Sequence, residues 1–517
     1  MALKKHTMFK IQLVGLSTLA GIMYWCAHVA IGQSWMAWLC LVPILIALDD
    51  KQISKKEAIG IAWWFGFISY LSGYHWMTEV LQTFGSFSHA LAIAAWIFMS
   101  LFMGMLLGAW GAATFALKRF TGIPIWMIAG PMFMLIEWIW PAVFPVYFSN
   151  SQYRYPLLIQ SLDFMGPLGL SGLITFSNAI LFEIISWKAK GDRPFPRRGI
   201  TVFAILFLSN LAYGFHAIRS TDDKVQATER SVKVGIVQAN VSVSERRKDP
   251  DNALSKHWNQ TQKIQQQGLD IAIWPENGYP FPVSATHTSI PIQAGVRLKQ
   301  PLLFGALKSE PGTLLQKRYN TAFLIDPEGR ILDTYDKNIL LPFGEYFPLA
   351  DRFPWLKKLS PKTGNLTHGA HPDPLQLNGI EYGVLICYED ILPGFVRKAM
   401  SSQPDILVNI SNDGWFGDTQ EAIYHLALST FRAVEQRRYL IRSANTGISA
   451  IVDPVGRILD PTPTFEPSLI VGEVKPMEGL TLYQRFGDWP GPVSLIFILI
   501  LTFKERKKQR VSTNINH

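Results

Sequence analysis

The 517-residue sequence contains only three cysteines, Cys26, Cys40 and Cys387, and none of them belongs to a Cys-x-x-Cys pair. Their scarcity argues against the usual cysteine-based zinc sites and against a small disulfide-stapled fold. The sequence also lacks a Gly-rich phosphate-binding loop, internal repeats and low-complexity tracts, which argues against a P-loop enzyme or a repeat protein. We therefore expect neither a metal nor a cofactor.

Charged residues are absent from long parts of the sequence, and no Asp, Glu, Lys or Arg occurs from Val80 to Leu117. Such a stretch exceeds the roughly 20 apolar residues that a membrane-spanning helix needs. At the N-terminus, the apolar stretch at 9–29 is followed almost at once by another at 34–49, which favours a retained span over a cleaved signal peptide. Together these stretches predict an α-helical membrane bundle of about eight transmembrane helices, centred near residues 9–29, 34–49, 57–77, 89–117, 121–141, 164–186, 199–218 and 489–503.

The loops between the predicted spans differ sharply in charge. Those on one side carry 17 Lys and Arg residues, whereas the short loops on the other side carry only Arg154. Because basic loops stay in the cytoplasm, both termini are predicted to be cytoplasmic. The net charge of +9 therefore reflects membrane topology and does not indicate a nucleic-acid partner. The predicted organisation is an N-terminal membrane domain with seven transmembrane helices at 1–218, an exported domain at 219–488, a C-terminal transmembrane helix at 489–503 and a basic cytoplasmic tail at 504–517.

The exported part changes to short aliphatic runs separated by helical stretches. Near-continuous aliphatic strands are typical of a sheet covered on both faces, and their alternation with helices predicts an α/β sandwich. The turn sequences Asp-Pro-Glu-Gly at 326–329 and Asp-Pro-Val-Gly at 453–456 predict two hairpins. Strands are predicted at 231–240, 269–276, 301–306, 320–326, 381–387, 404–410 and 447–453, and helices at 251–267, 390–400 and 421–439.

Polar residues stand where several of these strands end. Glu276 and Cys387 each end a predicted strand, and Lys337 follows the strand of the first hairpin. Taken singly, each residue has a common structural alternative: Glu276 as a helix cap, Cys387 as a core thiol and Lys337 as a solvated side chain. However, ligands gather at the carboxyl ends of strands in open α/β folds. An unpaired cysteine in an exported domain also indicates a reactive thiol or an intermolecular bridge.

Three motifs surround these residues: Trp274-Pro275-Glu276, Tyr335-Asp336-Lys337 with Pro342-Phe343-Gly344-Glu345, and Cys387-Tyr388-Glu389-Asp390. These motifs resemble the nitrilase superfamily. With the predicted spans on either side, residues 8–503 resemble the bacterial apolipoprotein N-acyltransferase family within it. This resemblance implies an αββα sandwich with a catalytic triad of Glu276, Lys337 and Cys387.

The resemblance also implies a two-step reaction at the bacterial inner membrane. Glu276 acts as general base, and Cys387 takes a fatty acyl group from a phospholipid as a thioester. Lys337 stabilises the thiolate and the oxyanion of each intermediate. The acyl group then passes to the N-terminal amine of a diacylglyceryl-modified apolipoprotein, which completes lipoprotein maturation. The implied enzyme is a monomer in the lipid bilayer, with its catalytic domain on the periplasmic face.

Three further residues receive supporting roles from the resemblance. The backbone N–H of Tyr388 is expected to donate to the oxyanion, because it follows the nucleophile. Glu345 is expected to orient Lys337. Glu389 either does the same or caps the helix that starts beside it.

Two other functions remain open at this point. A membrane-tethered carbon-nitrogen hydrolase would use the same triad with water as acceptor, although one anchor would then suffice. A transporter or receptor with an inactive nitrilase-like domain would use the ionisable residues of the membrane part, Glu137, Asp163 and Glu183, because buried charges often mark transport pathways.

Overall fold

The computed structural model describes residues 2–29, 31–50, 52–83, 87–191, 194–293, 295–311, 317–349, 352–353, 355 and 364–515. The chain divides into two compact units. The first comprises Met1–His75, Ile93–His216 and Arg485–His517, and the second comprises Trp76–Ala92 and Ala217–Gln484. A short segment between two helices of the first unit therefore belongs to the second.

The part of the chain that precedes the first strand is helical. Among the described residues, three helices are long and apolar enough to cross a membrane, at His89–Thr121, Leu162–Ala189 and Arg197–Ala227. The apolar segments Ser34–Leu48 and Ile125–Ile139 are shorter. The helices are α1 (Ala2–Ala27), α2 (Val42–Leu48), α3 (Lys55–Gly73), α4 (Met77–Thr83), α5 (His89–Thr121), α6 (Ile125–Ile139), α7 (Pro156–Ile159), α8 (Leu162–Lys190) and α9 (Arg197–Ala227).

Helix α8 is kinked close to its start. Gly166 has a φ of 60° there and is followed by Pro167. Only glycine adopts this conformation without strain from a Cβ atom, and the proline lacks the backbone N–H that a continuous helix would use. The helix ends where Gly191 adopts the left-handed conformation, the usual position of a C-terminal glycine.

Three carboxylates lie among the helices of the first unit and accept hydrogen bonds within it. Glu137 accepts from the backbone N–H of Phe148 at 2.8 Å, and Glu183 accepts from a backbone N–H at the start of α6 at 2.9 Å. Asp163 accepts from the Tyr213 hydroxyl at 2.8 Å. Because each carboxylate joins two segments of the unit, we assign them a structural role instead of the transport pathway considered above.

The second unit contains two β-sheets. The larger has the strand order β13-β1-β2-β4-β5-β6, with β3 paired to β4, and the smaller has the order β12-β11-β10-β9-β8-β7. The strands are β1 (Val232–Gln238), β2 (Ile271–Ile273), β3 (Val283–Ser284), β4 (Leu302–Ser309), β5 (Arg318–Ile325), β6 (Ile331–Asp336), β7 (Leu375–Leu377), β8 (Ile380–Ile386), β9 (Ile406–Ser411), β10 (Leu440–Ala444), β11 (Ala450–Val452), β12 (Ile458–Leu459) and β13 (Ser468–Val474).

The two sheets pack face to face, and helices cover their outer sides. One apolar core joins residues of both sheets, including Ile273 and Ile410. A second core packs α11 on the larger sheet, and a third packs α12 and α13 on the smaller. The expected αββα sandwich is therefore confirmed. The remaining helices are α10 (Val243–Lys248), α11 (Pro250–Ile264), α12 (Pro393–Ala399), α13 (Glu421–Gln436), α14 (Leu482–Phe486) and α15 (Pro490–Ile515).

Every strand predicted between residues 219 and 488 overlaps an observed one, and both predicted hairpins are present. Strands β5 and β6 pair antiparallel across 326–329, as do β11 and β12 across 453–456. Six strands lie outside the predicted runs: β3, β6, β7, β10, β12 and β13. Of these, β6 and β12 are implied by the two predicted hairpins. The helix expected at 390–400 is also divided, because a 3-10 turn occupies Cys387–Ile391 and α12 begins only at Pro393.

Candidate active site

The three residues of the predicted triad each follow the end of a strand. Glu276 lies just beyond β2 and Lys337 directly after β6, both in the larger sheet, whereas Cys387 follows β8 of the smaller sheet. All three are buried, with exposed fractions of 4% for Glu276, 1% for Lys337 and 8% for Cys387. The site therefore draws on both sheets of the sandwich.

Lys337 lies between two carboxylates. Its Nζ atom is 2.9 Å from an oxygen of Glu345 and 3.6 Å from Oε1 of Glu276. The side-chain amide of Asn320 donates to both carboxylates, at 2.6 Å to Glu276 and 3.0 Å to Glu345. Burial would lower the pKa of Lys337, but Glu345 and Glu276 raise it above its ordinary value. The lysine is therefore held as an ammonium ion.

Cys387 occupies a strained position at the point where β8 turns into the 3-10 helix. Its φ is +50°, a left-handed conformation that non-glycine residues seldom adopt and that is often found at functional sites. Burial and the nearby Glu276 raise the pKa of the thiol well above its usual value, whereas Lys337 acts to lower it. This raised pKa favours the protonated thiol, so a nucleophilic role would require a base to remove its proton.

Known proteins match both parts of this chain. The carbon-nitrogen hydrolase family matches residues 233–479, and the apolipoprotein N-acyltransferase N-terminal domain matches residues 20–180. The apolipoprotein N-acyltransferase of Geobacter metallireducens is 29% identical over 95% of each chain. That of Brucella melitensis is 31% identical and covers 89% of this chain and 88% of its own length. The chain belongs to the apolipoprotein N-acyltransferase family.

Membership of the apolipoprotein N-acyltransferase family makes this chain an enzyme of the acyltransferase class. Among solved structures, the nitrilase-superfamily protein Nit3 of Saccharomyces cerevisiae is 17% identical with a TM-score of 0.36, and it covers 48% of this chain and 92% of its own.

The pH dependence of acylation tests whether Glu276 is the general base of this acyltransferase. Burial raises the pKa of Glu276 above its ordinary value, although Lys337 lowers it. A general base works only as the carboxylate, so activity is lost as pH falls through this raised pKa. We expect the acid limb of the first half-reaction to lie above the ordinary glutamate pKa of about 4.3. A pH-rate profile from pH 4 to 9 measures it, and an acid limb at or below pH 4.3 would contradict the assignment.

Glu389 connects the segment after Lys337 to the 3-10 turn at Cys387–Ile391, here called the cysteine turn. One of its carboxylate oxygens accepts from the backbone N–H groups of Asn338 and Ile339, at 2.6 and 2.9 Å. The other accepts from the backbone N–H of Ile386 and from the Tyr335 hydroxyl, both at 2.8 Å. Burial raises the pKa of Glu389 to about 7, and these donors oppose that shift. Glu389 was expected either to orient Lys337 or to cap the helix that starts beside it. Its contact with the backbone N–H of Ile386 corresponds to the capping role.

Replacing Glu389 by alanine is expected to slow acylation of Cys387 by about 10²-fold, because displacements near 1 Å of catalytic groups cost that much. Four buried donors lose their acceptor together in this variant. Tyr335→Phe removes only one of the four hydrogen bonds and serves as the matched control, with a much smaller expected effect. The rate of acyl-enzyme formation in a rapid-quench experiment distinguishes them. Equal rates in Glu389→Ala and the wild type would show that the turn keeps its geometry without this carboxylate.

A buried group of charges, here called the charge cluster, lies behind the cysteine turn and comprises Asp390, Asp413, His425 and Arg442. His425 bonds Asp390 through Nε2 at 2.8 Å and Asp413 through Nδ1 at 3.1 Å. Arg442 donates to Asp413 at 2.9 Å and to Asp390 at 3.2 Å. Ser411 donates to Asp413 at 2.6 Å and also interacts with the Cys387 thiol. The charge cluster thus holds the 3-10 turn that carries Cys387.

Sequence reasoning missed His425 and the role of the charge cluster. His425 and Ser429 are four residues apart on α13, so they lie on one face of the helix. That face is buried and also carries Glu421, and polar groups on a buried face need partners. The Cys387-Tyr388-Glu389-Asp390 motif contained one of the partners, but nothing in the sequence pairs Asp390 with His425.

Three residues of this region also have a donor set that suits a metal ion. Ligand atoms of Asp413, Glu421 and His425 all lie within 4.8 Å of one another. Both nitrogens of His425 already bond carboxylates, which requires the charged imidazolium form. Burial and Arg442 would lower the pKa of His425, but Asp390 and Asp413 raise it to about 10. The residues therefore fit an ion-pair network better than a site for a cation.

Proposed function

We propose that this acyltransferase moves a fatty acyl group from a phospholipid to the N-terminal amine of a diacylglyceryl-modified apolipoprotein. The acyl group is carried as a thioester on Cys387. The observation that supports this proposal best is the buried contact of Lys337 with Glu276 and Glu345, next to a strained cysteine, in a chain of this family. The sequence-based assignment of catalytic roles is retained without change.

In the first half-reaction, Glu276 removes the thiol proton of Cys387 as the sulfur attacks an ester carbonyl of the phospholipid. Lys337 stabilises the developing oxyanion, and the backbone N–H of Tyr388 is the second donor. Each such donor typically contributes about 10²–10³ in rate. The tetrahedral intermediate collapses with cleavage of the C–O bond. Glu276 returns its proton to the alkoxide, so a lysophospholipid leaves and the acyl thioester remains.

In the second half-reaction, the neutral α-amine of the apolipoprotein attacks the thioester carbonyl. Glu276 accepts a proton from the amine as the C–N bond forms. The C–S bond then breaks, and the proton passes to the Cys387 sulfur, which restores the resting thiol. Glu345 keeps Lys337 in position through both steps.

Supplying the two substrates separately tests this scheme against hydrolysis. With phospholipid alone, we expect one acyl group per enzyme on the Cys387 peptide and one equivalent of lysophospholipid, seen by intact-mass and peptide mass spectrometry. Addition of a diacylglyceryl lipopeptide should then discharge the thioester to an amide. Continuous release of free fatty acid without the lipopeptide would instead identify a membrane-tethered carbon-nitrogen hydrolase.

We extend the proposal to the topology: eight membrane crossings, both termini in the cytoplasm and residues 219–488 on the periplasmic face of the bacterial inner membrane. The membrane domain comprises 1–218 and the single helix 489–503, with 504–517 as the cytoplasmic tail. The charge difference between the loops supports it. Single cysteines in place of Lys188 and Glu229, introduced into a variant without the native cysteines, provide the test. We expect a membrane-impermeant maleimide to label the residue at 229 in spheroplasts and the residue at 188 only after lysis. The reverse pattern would invert the topology.

A further inference from the structure

A cavity of about 550 Å³ lies entirely within the first unit. Its walls come from α6, from α8 with the residue before it, from α9 and from α15. Its size falls within the roughly 300–1,000 Å³ of small-molecule sites. Helices α6 and α8 approach closely beside it, because a Cβ atom at Gly130 would lie only 2.9 Å from the carbonyl oxygen of Gly172. Both glycines line the cavity.

One end of the cavity is polar. Ser161, Asn210, Tyr213 and Trp489 line it there. The starts of α8 and α15 meet the middle of α9 at this level, since the Trp489 indole donates to the carbonyl of Phe164 at 2.6 Å and Tyr213 of α9 bonds Asp163 of α8. These groups lie near the kink of α8 and the start of α15. A ligand with a polar end would therefore find hydrogen-bonding groups on this side.

Ser161 supplies a second and independent sign of a ligand. Its side chain is 2% exposed and lines the cavity, yet its hydroxyl oxygen has no hydrogen-bond partner among the described residues. A buried polar group normally has a partner, because burying it without one costs about 1–3 kcal/mol. A hydrogen-bond acceptor on a bound molecule would satisfy it.

The opposite end is apolar and aromatic. Trp126 stacks on Phe176 with ring centroids 5.9 Å apart, and Phe176 meets Phe203 of α9 at 5.7 Å. Along α9 the lining runs from Val202 to Tyr213, which corresponds to about 16 Å of helix rise. Half of a bilayer's hydrocarbon core is about 15 Å thick. The full length of the cavity thus matches a single membrane leaflet.

The cavity also opens sideways onto the apolar surface of the helices. Two residues that line it, Leu206 on α9 and Val493 on α15, are 47% and 50% exposed. Exposed apolar residues on a membrane-spanning helix face lipid chains. A chain lying between these helices would reach the cavity without crossing a polar barrier.

From this arrangement we infer that the cavity binds one glycerophospholipid molecule of the membrane. One acyl chain lies between the four helices, with its end near Phe176. An ester carbonyl or head-group oxygen accepts a hydrogen bond from Ser161 at the polar end. No residue that lines the cavity belongs to the unit that contains Cys387, so this lipid site is additional to the acyl-transfer site.

Photo-labelling of the full-length enzyme tests the site. The probe is phosphatidylethanolamine with a diazirine at the end of one acyl chain, supplied in vesicles of phosphatidylethanolamine and phosphatidylglycerol. We expect saturable labelling, mapped by peptide mass spectrometry, at 126–134, 172–176 and 202–206. We also expect Cys387→Ser to leave this labelling unchanged, because the covalent step is not involved. Labelling spread evenly over all apolar helices would overturn the proposal.

Two tryptophan substitutions on α9 form a matched pair. Leu206→Trp fills the mouth of the cavity, whereas Leu208→Trp lies on the same helix, is 62% exposed and is not among the lining residues. We expect Leu206→Trp to reduce the saturable labelling at least fivefold and Leu208→Trp to leave it within twofold of the wild type. Equal labelling in the two variants would contradict the site. Ser161→Ala is a milder second test, and we expect it to weaken retention of the lipid in native mass spectra severalfold.

Discussion

Replacing Cys387 by serine is expected to reduce acyl transfer by at least about 10³-fold, because loss of a nucleophile removes the covalent route altogether. The hydroxyl of serine is far less acidic than a thiol, so Glu276 no longer generates an effective nucleophile. Intact-mass analysis after incubation with phospholipid measures the effect directly. The wild type gains one acyl mass, and the variant gains none.

The other two cysteines provide the control for this experiment. Cys26 and Cys40 are free thiols on helical segments of the first unit. A Cys26→Ser/Cys40→Ser double variant should keep the acyl mass and nearly all activity. An acyl mass on Cys387→Ser, or an acyl group that maps to Cys26 or Cys40, would contradict the thioester mechanism.

Replacing Lys337 by methionine is expected to have the second-largest effect, on both rate and stability. The side chain is 1% exposed and lies against two carboxylates. Removing one partner of a buried ion pair leaves uncompensated charge and costs about 3–5 kcal/mol. The rate of acylation should also fall by about 10²–10³-fold, as expected for a lost oxyanion-stabilising group. The midpoint of thermal unfolding and single-turnover acylation together measure the two losses.

A double variant separates the two roles of Lys337. In Lys337→Met/Glu345→Gln, one of the two negative charges is removed with the lysine, so most of the stability should return while acylation stays slow. Lys308→Met is the matched control, since Lys308 pairs with Asp336 at 2.5 Å and is only partly buried. Such a pair contributes under about 1 kcal/mol. If the double variant recovered activity together with stability, Lys337 would have only a structural role.

The strands of the sandwich show which elements a local sequence pattern predicts and which it does not. Runs such as 381–387 and 404–410 are aliphatic throughout, and both became buried strands, β8 and β9. Strand β10 lacks that pattern because Arg442 lies at its centre. A charged side chain is buried there only because Asp390 and Asp413 compensate it, and that compensation comes from distant parts of the chain.

The cysteine turn at the active site likewise has a conformation that the local sequence did not predict. The position of Cys387 after a strand indicated a functional residue, and a helix was expected to start directly after it. The observed 3-10 turn and the positive φ of Cys387 are held by Glu389, which bonds groups some 50 residues earlier in the chain. Local propensity contains no information about such contacts, because they form only when the two sheets pack.

The sequence by itself determined the separation of apolar and charged segments and the α/β class. The resemblance of its motifs to the nitrilase superfamily implied the αββα sandwich and identified Cys387, Glu276 and Lys337 as candidates. These features depend on periodicity and on motifs that lie within a few residues of one another. Only the tertiary structure decided that Lys337 lies between two carboxylates, that His425 joins the charge cluster and that an apolar cavity remains among four helices. Each of these depends on side chains far apart in sequence that meet when segments pack, so their energies belong to the folded chain and not to any one segment.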